Sequence, residues 1–310
     1  MNCNEKGENM NLIDDIKLLK KKRNAVILAH NYQIEDVQNV ADYVGDSFYL
    51  SKVAQEVEAD VIVFCGVHFM AETAYLLAPE KKILLQEINA GCPMADMVDI
   101  EGLRRLKEQH PTATVVSYVN TSAEVKAESD VCCTSSNAIK IISQIENDKI
   151  IFLPDRNLGN YVAQNFPDKE FILWDGYCIT HEKIVPDDVL KVKNKYPQAK
   201  FLMHPECNPS VVDMADFTGS TSEIIDYAVN SEDEVFVIGT EMGVLCKLQS
   251  LCKNKQFFIL HPGLVCPNMK KTNLGSVYDA LLNNQHQITI KQEIAEKAII
   301  PLQKMMELGR

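Results

Sequence analysis

No run of apolar residues in this sequence approaches the roughly 18 that a bilayer-spanning helix needs, and its first ten residues, Met1–Met10, are polar. These absences argue against a membrane span and a secretory signal, so a cytoplasmic chain with reduced thiols is expected. Positive charge is scarce: 31 Lys and Arg stand against 43 Asp and Glu, for a net charge of −12. That argues against nucleic acid and anionic membrane as partners, because neither has a basic surface to meet. An anionic metabolite remains allowed, since the field of one pocket can oppose the net charge. There is no C-x-x-C pair and no low-complexity linker. The first absence makes a closed structural zinc site a poor fit. The second predicts that the parts of the chain pack tightly.

What is present is an average globular composition, 46% hydrophobic and 24% charged over 310 residues, enough for two or three domains with a sizeable core. Ten cysteines in a reducing compartment need an explanation other than disulfides. Most read as small core residues.

The chain repeats itself. The runs AVILAHNY (25–32), ATVVSYVN (113–120) and AKFLMHPE (199–206) align without gaps, at steps of 88 and then 86 residues. Each is apolar and turns polar at its C-terminal end, as a buried parallel strand does. The same steps connect Ser47, Ser135 and Thr221, each read as a hydroxyl capping an amphipathic helix. A second strand, another helix and a third strand follow in each repeat, and the third strand is read as ending at Cys92, Cys178 or Cys266. Strands alternating with helices imply parallel βαβ units. The expected fold class is α/β: three pseudo-threefold-related three-layer αβα units, each with a small parallel sheet. The expected domains are residues 1–98 with an N-terminal helix, 99–184 and 185–270, with 271–310 laid against the first.

Cys92, Cys178 and Cys266 occupy equivalent positions, whereas Cys3 (in an expected tail), Cys65, Cys132, Cys133, Cys207, Cys246 and Cys252 have no cysteine counterparts. Three soft thiolates suit Zn²⁺, Cu(I) or an iron–sulfur cluster. A [4Fe–4S] cluster normally takes four thiolates, so three leave one iron open for Lewis-acid chemistry. Around this set, ligands of open α/β sheets bind at the carboxyl ends of strands. There the repeats supply His30, Tyr118 and His204 at one level, and Tyr32, Asn120 and Glu206 two residues on. Imidazoles, phenols, an amide and one carboxylate suit proton transfer and carbonyl polarisation. The helix starts at Ser47, Ser135 and Thr221 suit carboxylates or phosphate.

With these residues in place, the sequence resembles the quinolinate synthase family. The matching motifs are I-L-A-H-N-Y at 27–32, G-D-S at 45–47, F-M-A-E-T-A at 69–74, Y-V-N at 118–120, T-S-x-N-A at 134–138, G-x-C-x-x-H at 176–181 and H-P-E-C at 204–207. The resemblance implies a three-domain pseudo-threefold fold and a [4Fe–4S] cluster on Cys92, Cys178 and Cys266. It implies condensation of iminoaspartate with dihydroxyacetone phosphate to quinolinate, phosphate and water, in NAD biosynthesis, with L-aspartate oxidase as the functional supplier. It also implies a substrate site lined by His30, Tyr32, Ser47, Tyr118, Asn120, Ser135, His204, Glu206 and Thr221. Glu206 and Tyr32 are assigned to acid–base work, with His30, His204 and Tyr118 also in the catalytic group. Many bacterial members carry the last ligand in a C-x-x-C-x-x-C run, whereas here Cys266 is followed by P-N-M-K. Two other readings share the cysteine trio. One is an iron–sulfur hydro-lyase acting on another hydroxy acid, distinguished by the lack of a phosphate-bearing second substrate. The other is a non-enzymatic sensor, which would need a further signalling or DNA-binding module.

Overall fold

The computed structural model describes residues 3–309. Among the described residues, twelve short strands form three four-stranded parallel sheets. The first contains β1 (Ala25–His30), β2 (Tyr43–Gly45), β3 (Val61–Cys65) and β4 (Lys82–Leu85). The second contains β5 (Thr114–Tyr118), β6 (Val131–Cys133), β7 (Lys149–Leu153) and β8 (Glu170–Leu173). The third contains β9 (Lys200–Met203), β10 (Phe217–Thr218), β11 (Val235–Gly239) and β12 (Gln256–Ile259). All three have one order, β2-β1-β3-β4, β6-β5-β7-β8 and β10-β9-β11-β12, with helices on the sheet faces. The α/β class and the three αβα repeats expected from the sequence are therefore present.

Alternation along the strands explains the layers, since successive side chains point to opposite faces. In the third repeat Phe201, Met203 and Val237 join one buried cluster with Val189 and Val211, while Leu202, Phe236 and Ile238 join another with Ile224 and Leu248. In the first repeat Ile27, Val61 and Val63 meet Ile16 of the helix Cys3–Arg23 and Leu274 and Val277 of the helix Leu274–Asn283. Cys3 thus opens a helix in place of the expected tail.

The chain forms two compact units. One holds the chain through Cys92 with Pro267–Lys291; the other holds Pro93–Cys266 and the stretch from Gln292. The expectation that all of 271–310 lies against the first repeat is corrected here. The helix Leu274–Asn283 does so, and so does the stretch after it, where Gln287 bridges to Leu84 and the Ile288 N–H donates to the Ile83 carbonyl at 2.9 Å; the helix Gln292–Leu308 packs instead on the helix Ala123–Ala127 and on β6. Its buried Ala298, Leu302, Met305 and Met306 recur at helical spacing and form one apolar stripe.

Two further groups repeat at the same steps and hold the sheets. Asp42, Asp130 and Asp216 precede or open the second strand of each repeat. Their carboxylates accept the backbone N–H of Ile27 (2.7 Å), Val115 (2.7 Å) and Phe201 (2.8 Å), residues of the first strand that lie before the short second strand begins to pair. Each Asp N–H donates back to the carbonyl of the same residue. Lys81, Lys169 and Lys255 precede the last strand and donate to carbonyls at or just past a helix C-terminus: Ala54 and Gln55, Ile145 and Asn147, Ala228 and Ser231. Helix ends leave such carbonyls without helical partners and favour cations.

Candidate active site

The three equivalent cysteines do not end strands, as the sequence suggested. They lie beyond β4, β8 and β12, in loops opened by turn-forming residues such as Gly176 and the Pro262-Gly263 pair. Gly176 is needed on steric grounds: a Cβ there would lie 2.4 Å from the Pro154 carbonyl oxygen. This close approach lets the Gly176 carbonyl accept the Arg156 N–H at 2.9 Å and fixes the loop that carries Cys178. Cys266 is held by its own N–H, which donates to the buried Glu241 carboxylate at 3.1 Å; the other Glu241 oxygen accepts the Gly243 N–H at 2.7 Å. Cys92, Cys178 and Cys266 are half-buried, whereas Cys65, Cys132, Cys133, Cys207 and Cys252 are buried. Burial pushes the Cys132 thiol up to about 12 and those of Cys65 and Cys207 higher still. These three are core thiols.

In the second compact unit the end of β5, the loop after β8 and the turn after β9 meet at Glu206. Its Oε1 accepts the Tyr118 hydroxyl at 2.7 Å, and its Oε2 lies 2.8 Å from His181 Nδ1. His181 Nε2 is 3.0 Å from the Thr240 hydroxyl, and its Nδ1 is also 3.2 Å from the Cys178 sulfur. The network assigns the proton to Nδ1, donated to Glu206, with Nε2 accepting from Thr240. The His204 ring stacks on His181 with centroids 4.9 Å apart and planes at 20°, and its Nδ1 accepts the Glu206 N–H at 3.3 Å. The Asn157 amide donates to the Glu206 carbonyl at 3.1 Å. Glu206, His181 and His204 are at most 4% exposed.

Burial alone would push the Glu206 carboxyl up. The neighbouring imidazoles and the hydrogen bonds from His181 and Tyr118 outweigh it and hold Glu206 well below the usual carboxylate range. Burial moves His204 the other way, down to about 4 against the pull of the Glu206 charge, so His204 is neutral near pH 7. Asp155, fully buried, is pushed well above its ordinary value by burial and then by the Glu206 charge. Their surroundings therefore push the two carboxyls in opposite directions, the separation that acid–base sites use. The Cys178 thiol is raised by burial and by Glu206. Cys178, His181 and Glu206 bring three ligand atoms within 4.8 Å of one another.

Of the predicted site residues, Tyr118, His204, Glu206 and Cys178 thus come together. His181 was missed, although it closes the C-x-x-H motif, because neither repeat partner position carries a histidine. Tyr32, Asn120 and Glu206 lie in the turns after the strands, not on them. Asn120 Oδ1 is buried without a hydrogen-bond partner. In the first compact unit His30 is 5% exposed, packs edge-on against Tyr32 at 4.4 Å, and accepts the Tyr32 N–H on Nδ1 at 3.2 Å.

The capping assignment is corrected. Asp46 and Ser220 are the caps, accepting the N–H of Tyr49 and Glu223, because they hold the extended backbone a cap requires. Ser47 and Thr221 are the first helical residues. Ser135 lies in a turn closed by the Asn137 side chain on the Thr134 N–H, ahead of the helix Ala138–Ile142.

Three parallel α/β repeats, with a buried carboxylate–imidazole–phenol centre beside a half-buried thiol, define the class: an α/β protein whose polar centre lies just beyond strand ends. The chain belongs to the quinolinate synthetase A family, whose model matches residues 14–307. It is 57% identical over 298 residues to the quinolinate synthase of Caldicellulosiruptor bescii, covering 96% of this chain and 98% of that one. It is 55% identical to that of Alkaliphilus metalliredigens, covering 96% and 98%. It is 51% identical to that of Clostridium perfringens strain 13, covering 97% and 100%. No helix among the described residues is long and apolar enough to cross a membrane.

Proposed function

We propose that this chain, an enzyme of NAD biosynthesis, condenses iminoaspartate with dihydroxyacetone phosphate to give quinolinate, phosphate and water. Its family membership supports quinolinate synthesis directly, and L-aspartate oxidase is the proposed source of the imine. The observation that carries the mechanism is the Glu206 carboxylate, ionised between the Tyr118 hydroxyl and His181.

The proposed resident cofactor is a [4Fe–4S] cluster held by Cys92, Cys178 and Cys266. The donor set fits. The three thiols sit at equivalent loop positions and are half-buried, and none of the nine described cysteines is in a disulfide. When bound, a cluster on three thiolates supplies an open iron as Lewis acid toward a substrate oxygen or nitrogen.

The protein's own groups supply the rest. Glu206, ionised at rest, takes a proton from substrate carbon during imine–enamine tautomerisation and returns it on ring closure. Tyr118 Oη–H keeps that carboxylate oriented and moves a proton to or from it. His204, neutral near pH 7, orients a substrate carbonyl. In the first repeat, Tyr32 is the second acid–base group and His30 orients substrate. The amide oxygen of Asn120 is left for a substrate donor. Substrate carboxylates and phosphate are assigned to the hydroxyls and helix starts at Ser47, Ser135 and Thr221.

Purification without oxygen tests this reading, with iron content, absorption and EPR spectra measured beside quinolinate formation. Cys92→Ala, Cys178→Ala and Cys266→Ala are each expected to lose most of the iron and all quinolinate formation. Cys207→Ala, in the turn of Glu206 and His204, is expected to keep the cluster. Loss of the spectrum in Cys207→Ala, or full iron and activity in any of the trio, would refute the ligand set.

A further inference from the structure

In the first repeat, Gln38 of the helix Glu35–Val40 is buried, and its Nε2 donates to the carbonyls of Asn31 at 3.0 Å and Gln33 at 2.9 Å. Those carbonyls flank Tyr32. In the second repeat, Lys126 of the helix Ala123–Ala127 is fully buried, and its Nζ donates to the carbonyls of Val119 at 2.8 Å and Thr121. Those carbonyls flank Asn120. Every position in the second set is the repeat partner of one in the first. Two chemically different side chains therefore make the same pair of bonds to the same two backbone oxygens.

Burying a lysine costs far more than burying an apolar side chain. A position that only filled space would take an apolar residue, as the third repeat does with Val212. There the corresponding tripeptide, Pro205-Glu206-Cys207, is fixed by other means. Proline presets its own φ, and the Asn157 amide holds the Glu206 carbonyl. The residue at the centre of the second clamp, Asn120, keeps a buried amide oxygen with no partner. The backbone on both sides of it is tied, while the functional atom is left for a ligand.

We propose that Gln38 and Lys126 are positioning residues of the active site. Each clamps, by two hydrogen bonds, the turn that presents Tyr32 or Asn120 to substrate. The inference rests on reading those two as substrate-site residues. What the clamp requires at position 126 is a pair of donors, not a charge.

The test uses the full chain loaded with its cluster, and reads kcat, KM, quinolinate dissociation constant, iron content and Tm. Lys126→Met is expected to keep its iron and to lose roughly 10–10²-fold in kcat/KM, the scale set by misplacing a site group by about 1 Å. Its quinolinate affinity should fall in parallel. Lys126→Gln, which copies the first repeat's clamp, should recover most of that loss. Parental kcat/KM and quinolinate affinity in Lys126→Met would overturn the proposal, and so would a Lys126→Gln no better than Lys126→Met. If Lys126→Met does not fold, Gln38→Met decides on the same readouts, with Gln38→Lys as its rescue. Asn120→Ala separates the two levels of the argument. No effect there would overturn the site reading beneath the clamp. A loss there with none in Lys126→Met would overturn the clamp alone.

Discussion

Glu206→Gln keeps the shape of the side chain and removes its capacity to take up a proton at neutral pH. The structure indicates how the substitution would be accommodated. The glutamine oxygen would face the Tyr118 hydroxyl, now 2.7 Å from Oε1, and its NH₂ would face His181 Nδ1, now 2.8 Å from Oε2. His181 must then carry its proton on Nε2 and donate to the Thr240 hydroxyl, which already lies 3.0 Å away. One tautomer change thus satisfies every partner, so the protein should fold and take up its cluster.

What is lost is a positioned base, typically worth about 10²–10⁴ in rate. At about 1.36 kcal/mol per decade this is about 2.7–5.5 kcal/mol of barrier. The assay is quinolinate formation by cluster-loaded protein, with iron content and absorption spectrum as controls. The loss should fall on kcat with KM little changed, because the removed interaction belongs to the transition state. Tyr118→Phe removes one charge-assisted bond and keeps the base, so it should cost less, about 10–10²-fold. Near-parental turnover in Glu206→Gln would strip Glu206 of its acid–base role.

Three further outcomes are expected. Alanine at Ser47, Ser135 and Thr221 together should weaken quinolinate binding by about 1.5–3 kcal/mol for each charge-assisted bond lost; unchanged affinity by calorimetry would mean the anion site lies elsewhere. Lys255→Met should lower stability by about 1.5 kcal/mol in a denaturant titration, because carbonyls at the end of the helix Thr221–Asn230 lose an ionised donor that is only half-buried; unaltered stability would show that cap to be dispensable. Asp155→Asn should melt at or above the parent near pH 7, because the buried Asp155 titrates well above its ordinary value of 3.8 when folded. A carboxyl whose folded pKa is raised favours the folded state at low pH, and that favour is lost as pH rises from about 4 through the folded value. The advantage of asparagine should therefore vanish towards pH 4, and a parent more stable than the variant at every pH would contradict the assignment.

The three repeats were legible because buried strands write their period into residue type, and AVILAH, TVVSY and KFLM have few alternatives. The aspartates at 42, 130 and 216 and the lysines at 81, 169 and 255 repeat at the same steps, yet they escaped. Each looks like ordinary surface charge, and its partner is a backbone group that no residue type announces. The helix caps were misread by one residue because Asp46-Ser47 and Ser220-Thr221 each offer two candidates, and only backbone conformation chooses between them. His181 escaped for the opposite reason. Its repeat partners are Ala95 and Met269, and a search keyed on threefold recurrence cannot detect a group that occurs once.

That contrast between recurrence and singularity separates two kinds of work. The aspartates and lysines are identical in all three repeats because three copies of one backbone need the same N–H and carbonyl groups satisfied. The groups proposed for the substrate site differ from repeat to repeat, as His30, Tyr118 and His204, and as Tyr32, Asn120 and Glu206. A reaction that joins two unlike substrates needs unlike groups around it, and a threefold-identical pocket could not tell an imine from a triose. Cys92, Cys178 and Cys266, by contrast, recur identically, at equivalent positions in the loops after the last strand of each repeat. Identical soft donors at equivalent positions are what a ligand set of threefold symmetry requires. The [4Fe–4S] cluster proposed for these three thiolates would suit such a set, and it would supply one open iron as a Lewis acid.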